Sequence, residues 1–375
     1  MIQRELYKKI LQFLQPNKVV VIYGPRRVGK TTILNQVLNS QEKKTLFVDG
    51  ESENTRRRLS VGDTDLLKEF VGSNELLIID EAQKIPEIGR NLKLIVDHIP
   101  GIKVIASGSA SFELAQQIGE PLTGRKWTLK LFPVSMRELI HEFGFESHEG
   151  FLNNQLLRFG GYPEIFQLPE REKGPYMENI IESYLFKDIL ELEDIRNSKK
   201  LRDLLTLLAF QIGSEVSLSE LGNQLEISKD TVYRYLDLLE KSFVLVNIRG
   251  FSRNLRKEVT KTSRYYFYDL GVRNALINNF NPLHIRNDVG QLWENFIVME
   301  RLKKQHYDGP HANNYFWRTY DQQEIDWVEE REGKLFGYEI KWNPKRKVKA
   351  PRSWHETYAN SEFECITNEN YLNFI

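Results

Sequence analysis

The sequence has almost no cysteine, no long apolar run and no excess of charge of either sign. Its 375 residues include one cysteine, Cys365, so an internal disulfide is excluded. No segment approaches the roughly 18 consecutive apolar residues that a membrane helix needs. The start, MIQRELYKKI, carries charges where a signal peptide would have an apolar core. We therefore predict a cytoplasmic protein with no membrane partner.

Charge balance excludes a general attraction to nucleic acid. Lys plus Arg and Asp plus Glu each number 52, so any such attraction must be local. Two runs are locally basic, Arg253–Arg264 and Lys341–Arg352. A solvated face is the alternative for either run unless a DNA-binding scaffold lies beside it. The length predicts two or three domains.

Short β-rich apolar runs alternate with helix-compatible stretches through the first third of the chain. This alternation is typical of a parallel, doubly wound α/β sheet, predicted at 1–148. Residues 149–197 have a helical pattern broken by Gly160-Gly161-Tyr162-Pro163, which indicates a lid or connector. The predicted strands of the first domain are Val19–Tyr23, Thr45–Val48, Leu76–Ile79, Val104–Ala106 and Leu129–Phe132.

Three helices followed by two strands are predicted between Ser198 and Tyr268. Ser217 and Ser228 are suited to cap the second and third helices, and the short turn between them suggests a helix-turn-helix. With the two strands as a wing, this predicts a winged helix at 198–282. DNA contact in a groove and packing against a nucleotide domain are the two alternatives for it. The residues that would be exposed on its third helix are Lys229, Asp230, Thr231 and Arg234.

A phosphate-binding loop follows the first predicted strand. Gly24-Pro25-Arg26-Arg27-Val28-Gly29-Lys30-Thr31 matches G-x-x-x-x-G-K-[ST] and opens a helix. Backbone N–H groups and the positive end of that helix suit the phosphates of ATP. We expect Lys30 to reach the β- and γ-phosphates and the Thr31 hydroxyl to ligate magnesium. Thr32 completes the expected binding residues.

Three further elements could complete a hydrolytic site. Asp80 and Glu81 end an apolar strand, so Asp80 could hold magnesium and Glu81 could activate the attacking water. Ser107 and Ser109 follow the next strand and could contact the γ-phosphate or that water, although a hydroxyl-rich turn that satisfies its own backbone is the alternative. Arg125 could stabilise transition-state charge, and a surface ion pair is the alternative for it.

Acidic residues and a lysine recur in the last ninety-odd residues of the chain. Strand alternation would put Glu339 and Lys341 on one face. Asp326 and Glu339 could then share magnesium with Glu294, and Lys341 could activate water or stabilise phosphate charge. The pattern resembles the restriction-endonuclease-like fold, whose acidic residues and E-x-K motif cleave phosphodiesters. Alternating charges on an exposed strand are the alternative.

Several motifs resemble AAA-type archaeal and bacterial ATP-binding proteins of the additional-strand P-loop class. These are GPRRVGKTT, LLIIDEAQKIP, ASGSAS, and LTGR followed by LFPVSMREL; the likeness continues in GGYPEIF, YLFKDIL and YFYDLGVRNAL. The last resembles a C-terminal domain of unknown function that accompanies this ATPase. The resemblance implies a sensor strand between the phosphate-loop and Asp80 strands, followed by a winged helix.

The combined prediction is an α/β P-loop ATPase with a parallel sheet, a winged-helix domain, and a C-terminal α/β restriction-endonuclease-like domain at 283–375. Its ATP and magnesium state would control a C-terminal half that acts on DNA. The rival is a switch without nuclease activity that regulates a protein or DNA partner. An assembly protein that binds ATP without turnover is disfavoured by Glu81. The sequence leaves the oligomeric state open.

Overall fold

The computed structural model describes residues 2–108, 122–182, 198–252, 263–319, 322–345 and 348–375. The chain forms two compact units, each built on its own sheet. Among the described helices, none combines the length and the apolar character that a bilayer crossing requires. The first unit comprises Met1–Val134, Tyr162–Glu164 and Lys241–Phe243, and the second comprises Ser135–Gly161, Ile165–Glu240 and Val244–Ile375.

The first unit contains a parallel five-stranded sheet in the order β2-β3-β4-β1-β5. Strand β4 lies between β1 and β3, which is the sensor-strand position that the family resemblance implied. Strand β3 is buried along its whole length, in keeping with its uninterrupted apolar run. The strands are β1 Lys18–Tyr23, β2 Thr45–Asp49, β3 Leu76–Asp80, β4 Lys103–Gly108 and β5 Lys126–Lys130.

Helices surround this sheet, and local signals set several of their ends. The Asp63 side chain accepts hydrogen bonds from the Asp65 and Leu66 N–H groups and so caps the fourth helix. Gly29, with φ 99°, precedes the second helix and turns the chain out of the phosphate loop. The helices are α1 Leu6–Phe13, α2 Lys30–Ser40, α3 Glu53–Leu59, α4 Thr64–Val71 and α5 Ile88–His98.

The second unit contains a seven-stranded mixed sheet in the order β12-β11-β10-β9-β7-β8-β6. Strand β7 pairs in parallel with β9 through Arg249 and Gly250, so the strands expected in two separate domains form one sheet. The strands are β6 Glu215–Val216, β7 Leu245–Gly250, β8 Ser263–Phe267, β9 Asn313–Arg318, β10 Glu324–Arg331, β11 Lys334–Ile340 and β12 Ser361–Ile366.

Both helix caps that the sequence indicated in this unit are present. The Ser217 hydroxyl accepts from the Glu220 N–H at 3.3 Å, and the Ser228 hydroxyl accepts from the Thr231 N–H at 3.1 Å. The helices are α6 Met136–Phe143, α7 His148–Phe151, α8 Leu157–Phe159, α9 Glu170–Ile180, α10 Ser198–Phe210, α11 Leu218–Leu225, α12 Lys229–Lys241, α13 Leu270–Leu276, α14 Val289–Tyr307, α15 Arg352–Thr357 and α16 Tyr371–Phe374. A π-helical segment, Leu152–Leu156, joins α7 to α8.

Two of the motifs that resemble the ATPase family contact each other in the interior of the second unit. The Asp269 carboxylate accepts from the Gly161 N–H at 2.7 Å and from the Gly271 N–H at 2.8 Å. A Cβ at Gly160 would lie 2.0 Å from this carboxylate, so only glycine fits there. The Asn274 side chain donates to the Arg158 carbonyl at 2.8 Å. These motif residues therefore hold α13 against the end of α8.

Candidate functional site

The phosphate loop runs from the end of β1 to the start of α2. A Cβ at Gly24 would lie 2.3 Å from the Leu131 carbonyl oxygen, and Gly29 has a φ of 99°, so both positions need glycine. Lys30 is buried, and its Nζ donates to the carbonyls of Gly24 at 3.0 Å and Pro25 at 2.9 Å. The ammonium is therefore held inside the loop, where phosphate oxygens can replace carbonyl acceptors.

An arginine near the amino terminus supports the loop from a second side. The Arg4 guanidinium, which is 7% exposed, donates to the Val28 carbonyl at 2.8 Å and to the Phe132 carbonyl at 2.5 Å. No sequence pattern marks this residue, because it is a lone arginine before a helix. On the exposed side, Arg27 pairs with Glu164 at 3.3 Å, a contact worth little energy in water.

Oxygen groups suited to magnesium meet beside the loop. The Thr31 hydroxyl donates to Asp80 Oδ2 at 2.5 Å, and the Ser107 hydroxyl donates to Asp80 Oδ1. A carboxylate and a hydroxyl are hard oxygen ligands of the kind that magnesium takes together with water. Thr31 and Asp80 thus fit the ion by donor type and proximity. Ser107 is fully buried against Asp80 and orients it, whereas Ser109 lies outside the described residues.

Glu81 follows Asp80 in a left-handed backbone conformation, with φ 47°. Such a conformation is uncommon outside glycine and is concentrated at functional sites. The Gln83 side chain, 6% exposed, donates from Nε2 to Glu81 Oε2 at 2.5 Å. Gln83 was not among the predicted site residues, although it lies within the LLIIDEAQKIP motif. It fixes one oxygen of the predicted catalytic carboxylate.

Arg125 lies away from the phosphate loop, contrary to the predicted transition-state role. Its Nε is 2.5 Å from Asp97 Oδ1, and its carbonyl accepts from the Val19 N–H at the start of β1. The loop follows the opposite end of β1, six residues away at roughly 3.3 Å per residue. Arg125 therefore does not reach the phosphates bound to its own chain and forms a surface ion pair with Asp97 instead.

An open groove begins next to the phosphate loop, between α1 and α2. Its volume is about 500 Å³, within the range typical of small-molecule sites. The lining residues are uncharged and each carries an amide or hydroxyl group, and one of them has an aromatic ring that could stack on a base. The lining residues are Tyr7, Thr32, Asn35, Gln36, Asn39 and Ser40.

The second unit brings the predicted C-terminal residues together. Lys341 Nζ lies 2.7 Å from Glu339 Oε1 and 3.3 Å from Asp326 Oδ2, so the expected shared face of Glu339 and Lys341 is present. The Ile340 N–H also donates to Asp326 Oδ2 at 2.9 Å. Glu294, on α14, accepts from the Tyr266 hydroxyl at 2.7 Å. We call Glu294, Glu324, Asp326 and Glu339 the carboxylate cluster.

Arg264, which the sequence analysis assigned to a basic run, is a buried part of this cluster. Its Nη1 lies 3.5 Å from Asp326 Oδ1 and 3.7 Å from Glu294 Oε1, and its Nη2 lies 2.9 Å from Glu324 Oε2. Two cations, Arg264 and Lys341, therefore lie beside these carboxylates. Within the described ranges no group of three His, Cys, Asp or Glu side chains could hold a metal ion. Metal binding by Glu294, Asp326 and Glu339 stays a prediction at this point.

Burial and mutual repulsion change the titration of the cluster. Burial, and then the Asp326 charge, raise the pKa of Glu294 to about 8. The same two causes raise the pKa of Glu339. Burial opposes the charge of Lys341, but Asp326 and Glu339 outweigh it and raise the pKa of the ammonium. The ammonium form of Lys341 is thereby favoured.

Comparisons with known families divide the chain into three matched segments. Residues 16–140 match the AAA domain family. Residues 151–283 and 289–371 match two domains of unknown function, DUF8612 and DUF4143. The first matched segment contains the phosphate loop, Asp80 and Glu81, so these residues lie in the part of the chain that is similar to the AAA domain family. No match to a winged-helix or nuclease family was found among these three.

Two relatives span most of the chain, and a third spans about half of it. An uncharacterized protein of Mycobacterium tuberculosis is 28% identical over 90% of this chain and 74% of its own. One of Methanocaldococcus jannaschii is 24% identical over 93% of this chain and 80% of its own. A proteasome-associated ATPase of Kineococcus radiotolerans is 26% identical over 48% of this chain and 31% of its own. The solved Walker-type ATPase of Pyrococcus abyssi is 18% identical and covers 74% of this chain and 96% of its own, with a TM-score of 0.49.

Proposed function

We propose that the chain is a magnesium-dependent ATPase. One observation carries the proposal. Thr31, at the end of the phosphate loop, donates a hydrogen bond to Asp80, and Glu81 follows Asp80 directly in the chain. Thr31 and Asp80 would hold the magnesium ion. When bound, the ion would draw charge from the phosphate oxygens. Lys30 would bind the phosphates, and Glu81 would orient and deprotonate the attacking water.

The groove beside Thr32 supports adenine as the base. Asn and Gln amides can pair with both N6 and N7 of adenine, and an aromatic ring can stack on a base. Asn35, Gln36 and Tyr7 supply these groups in the groove. The proposal is tested by measuring phosphate release from ATP by the full chain with magnesium and with EDTA. Phosphate release that occurs with magnesium but not with EDTA supports the proposal. Equal phosphate release under both conditions contradicts it.

We expect Gln83→Met to lower kcat about tenfold while the KM for ATP changes by less than about twofold. A hydrogen bond to a charged group is worth about 1.5–3 kcal/mol, and misplacing a base affects the chemical step more than ground-state binding. Methionine keeps the side-chain volume, so the change removes the donor to Glu81 with little repacking. Steady-state kinetics, with the unfolding midpoint as a control, measure this. An unchanged kcat would show that Gln83 does not position Glu81.

The proposal for the second unit is a winged helix, formed by α10, β6, α11, α12, β7 and β8, that contacts DNA. The order helix, strand, helix, helix, strand, strand supports it, as do the exposed Lys229, Tyr233 and Arg234 on α12. The basic residues Arg253, Arg256, Lys257 and Lys261 lie outside the described residues. Their part in the proposal rests on the sequence alone.

DNA affinity is expected to fall steeply with salt. About five phosphate contacts imply a log–log slope near −4 to −5 on duplex DNA. Neutralising Arg253, Arg256 and Lys257 together is expected to flatten that slope by about 3. Fluorescence anisotropy over a salt series, with and without ATP, measures both. The absence of DNA binding at low salt, with and without ATP, would favour the rival in which the partner is a protein.

The restriction-endonuclease-like assignment of 283–375 stays a prediction that rests on Glu294, Asp326, Glu339 and Lys341. Its rival is an ATP-dependent switch without cleavage. Arg264 is buried beside Asp326 in the carboxylate cluster, where it offsets the charge that a metal would offset, and this favours the switch without cleavage.

A further inference from the structure

Each pair of neighbouring carboxylates in the cluster already has a cation between its members. Lys341 lies between Asp326 and Glu339, at 3.3 and 2.7 Å. Arg264 lies between Asp326 and Glu294, at 3.5 and 3.7 Å. Both places where two of the predicted ligands could share a metal are thus occupied by side-chain nitrogens of the chain itself.

A metal could not join these cations without displacing one of them. Magnesium needs ligand oxygens at about 2.0–2.1 Å in near-octahedral geometry, which is closer than any of these carboxylate–nitrogen contacts. Arg264 Nη1 lies 3.7 Å from Glu294 Oε1 and 3.5 Å from Asp326 Oδ1, so an ion bridging these two oxygens would lie beside the guanidinium. Two cations this close in a buried site would also repel strongly.

Arg264 is anchored by several contacts. Its side chain is 5% exposed, its Nη2 donates to Glu324 at 2.9 Å, and its guanidinium carbon lies 4.6 Å from the centroid of the Phe316 ring. Its strand, β8, pairs with β7 and β6, and its backbone pairs with Glu215 and Ile248. An arginine with five fixed donors suits such a multiple carboxylate contact better than a flexible lysine would. Moving it would leave buried carboxylates unpaired, which is costly.

We propose that Arg264 is the permanent counter-ion of the carboxylate cluster and that the cluster therefore takes no divalent cation. The cluster joins β8 to α14 and β10 as an ionic contact. The second unit then acts without metal-dependent phosphodiester cleavage. This inference concerns only the second unit and does not depend on ATP hydrolysis by the first.

The test measures manganese binding to the full chain by electron paramagnetic resonance, without nucleotide. All proteins carry Asp80→Asn, so that the ATP site contributes no ligand. We expect no manganese site up to millimolar concentration in this parent, and no change on adding Asp326→Asn. A site present in the parent and lost with Asp326→Asn overturns the proposal.

The matched variants Arg264→Met and Arg264→Lys test the cause. Methionine removes the charge at similar length, so Arg264→Met is expected to gain one manganese site that Asp326→Asn then removes. Lysine keeps a charge, so Arg264→Lys is expected to gain none. A folded Arg264→Met protein that gains no site would show that the guanidinium is not what excludes the metal. The comparison of the parent with the Asp326→Asn variant decides the proposal even if Arg264→Met does not fold.

Discussion

Replacing Lys30 with alanine is expected to abolish detectable ATP turnover and to weaken ATP binding at least about tenfold. The Lys30 ammonium is buried in the loop, against the Gly24 and Pro25 carbonyls. The loop backbone offers only dipoles to the phosphates, and a charged hydrogen bond is worth about 1.5–3 kcal/mol. Phosphate release and calorimetric titration with ATP measure the two effects.

The matched control for this change is Lys43→Ala. Lys43 belongs to the same unit, is 41% exposed and pairs only loosely with Glu75 at 3.3 Å, so its loss is expected to leave turnover unchanged. The unfolding midpoint of each variant separates lost binding from lost folding. Turnover and affinity in Lys30→Ala equal to those of Lys43→Ala would reject the phosphate-loop assignment.

Glu81→Gln is expected to keep ATP binding and to lower turnover by about 10²–10⁴, the usual contribution of a general base. Glutamine keeps the size of the side chain but cannot accept the proton of the attacking water. It is also expected to preserve the contact with Gln83, because an amide oxygen can accept from Nε2. The change therefore isolates proton transfer from positioning, whereas Gln83→Met isolates positioning.

Glu87→Gln is the matched control for Glu81→Gln. Glu87 lies in the same connection after β3, is exposed, and shares the left-handed backbone conformation with φ 54°. The identical chemical change there is expected to leave both binding and turnover as they were. If both variants hydrolyse ATP at the parent rate, Glu81 has no part in the mechanism.

The first unit could be predicted from the sequence because its signals are local. The strand β1, the loop Gly24–Thr31 and the carboxylates Asp80 and Glu81 follow one another in fixed spacing, and a parallel α/β order brings their ends together. The predicted start of β5, Leu129, lies three residues after its observed start, Lys126. Its apolar run begins at Leu129, while pairing with β1 begins at Lys126.

The carboxylate cluster could be predicted only in part. Alternation along β11 gave the shared face of Glu339 and Lys341, but Arg264 comes from β8, sixty-two residues before Asp326. Charge counts along the sequence placed it in a basic surface run. Its burial depends on the parallel pairing of β7 with β9, a long-range contact that no local pattern encodes.

The fate of ATP bound to the parent protein and to Glu81→Gln is the most direct test of the proposed ATPase activity. Each is loaded with radiolabelled ATP without magnesium, freed of excess nucleotide, and given magnesium, and the bound nucleotide is then analysed over time. We predict conversion to ADP in the parent, and ATP retained at least about 10²-fold longer in Glu81→Gln. Conversion in Glu81→Gln at the parent rate, or no conversion in the parent, would contradict the account.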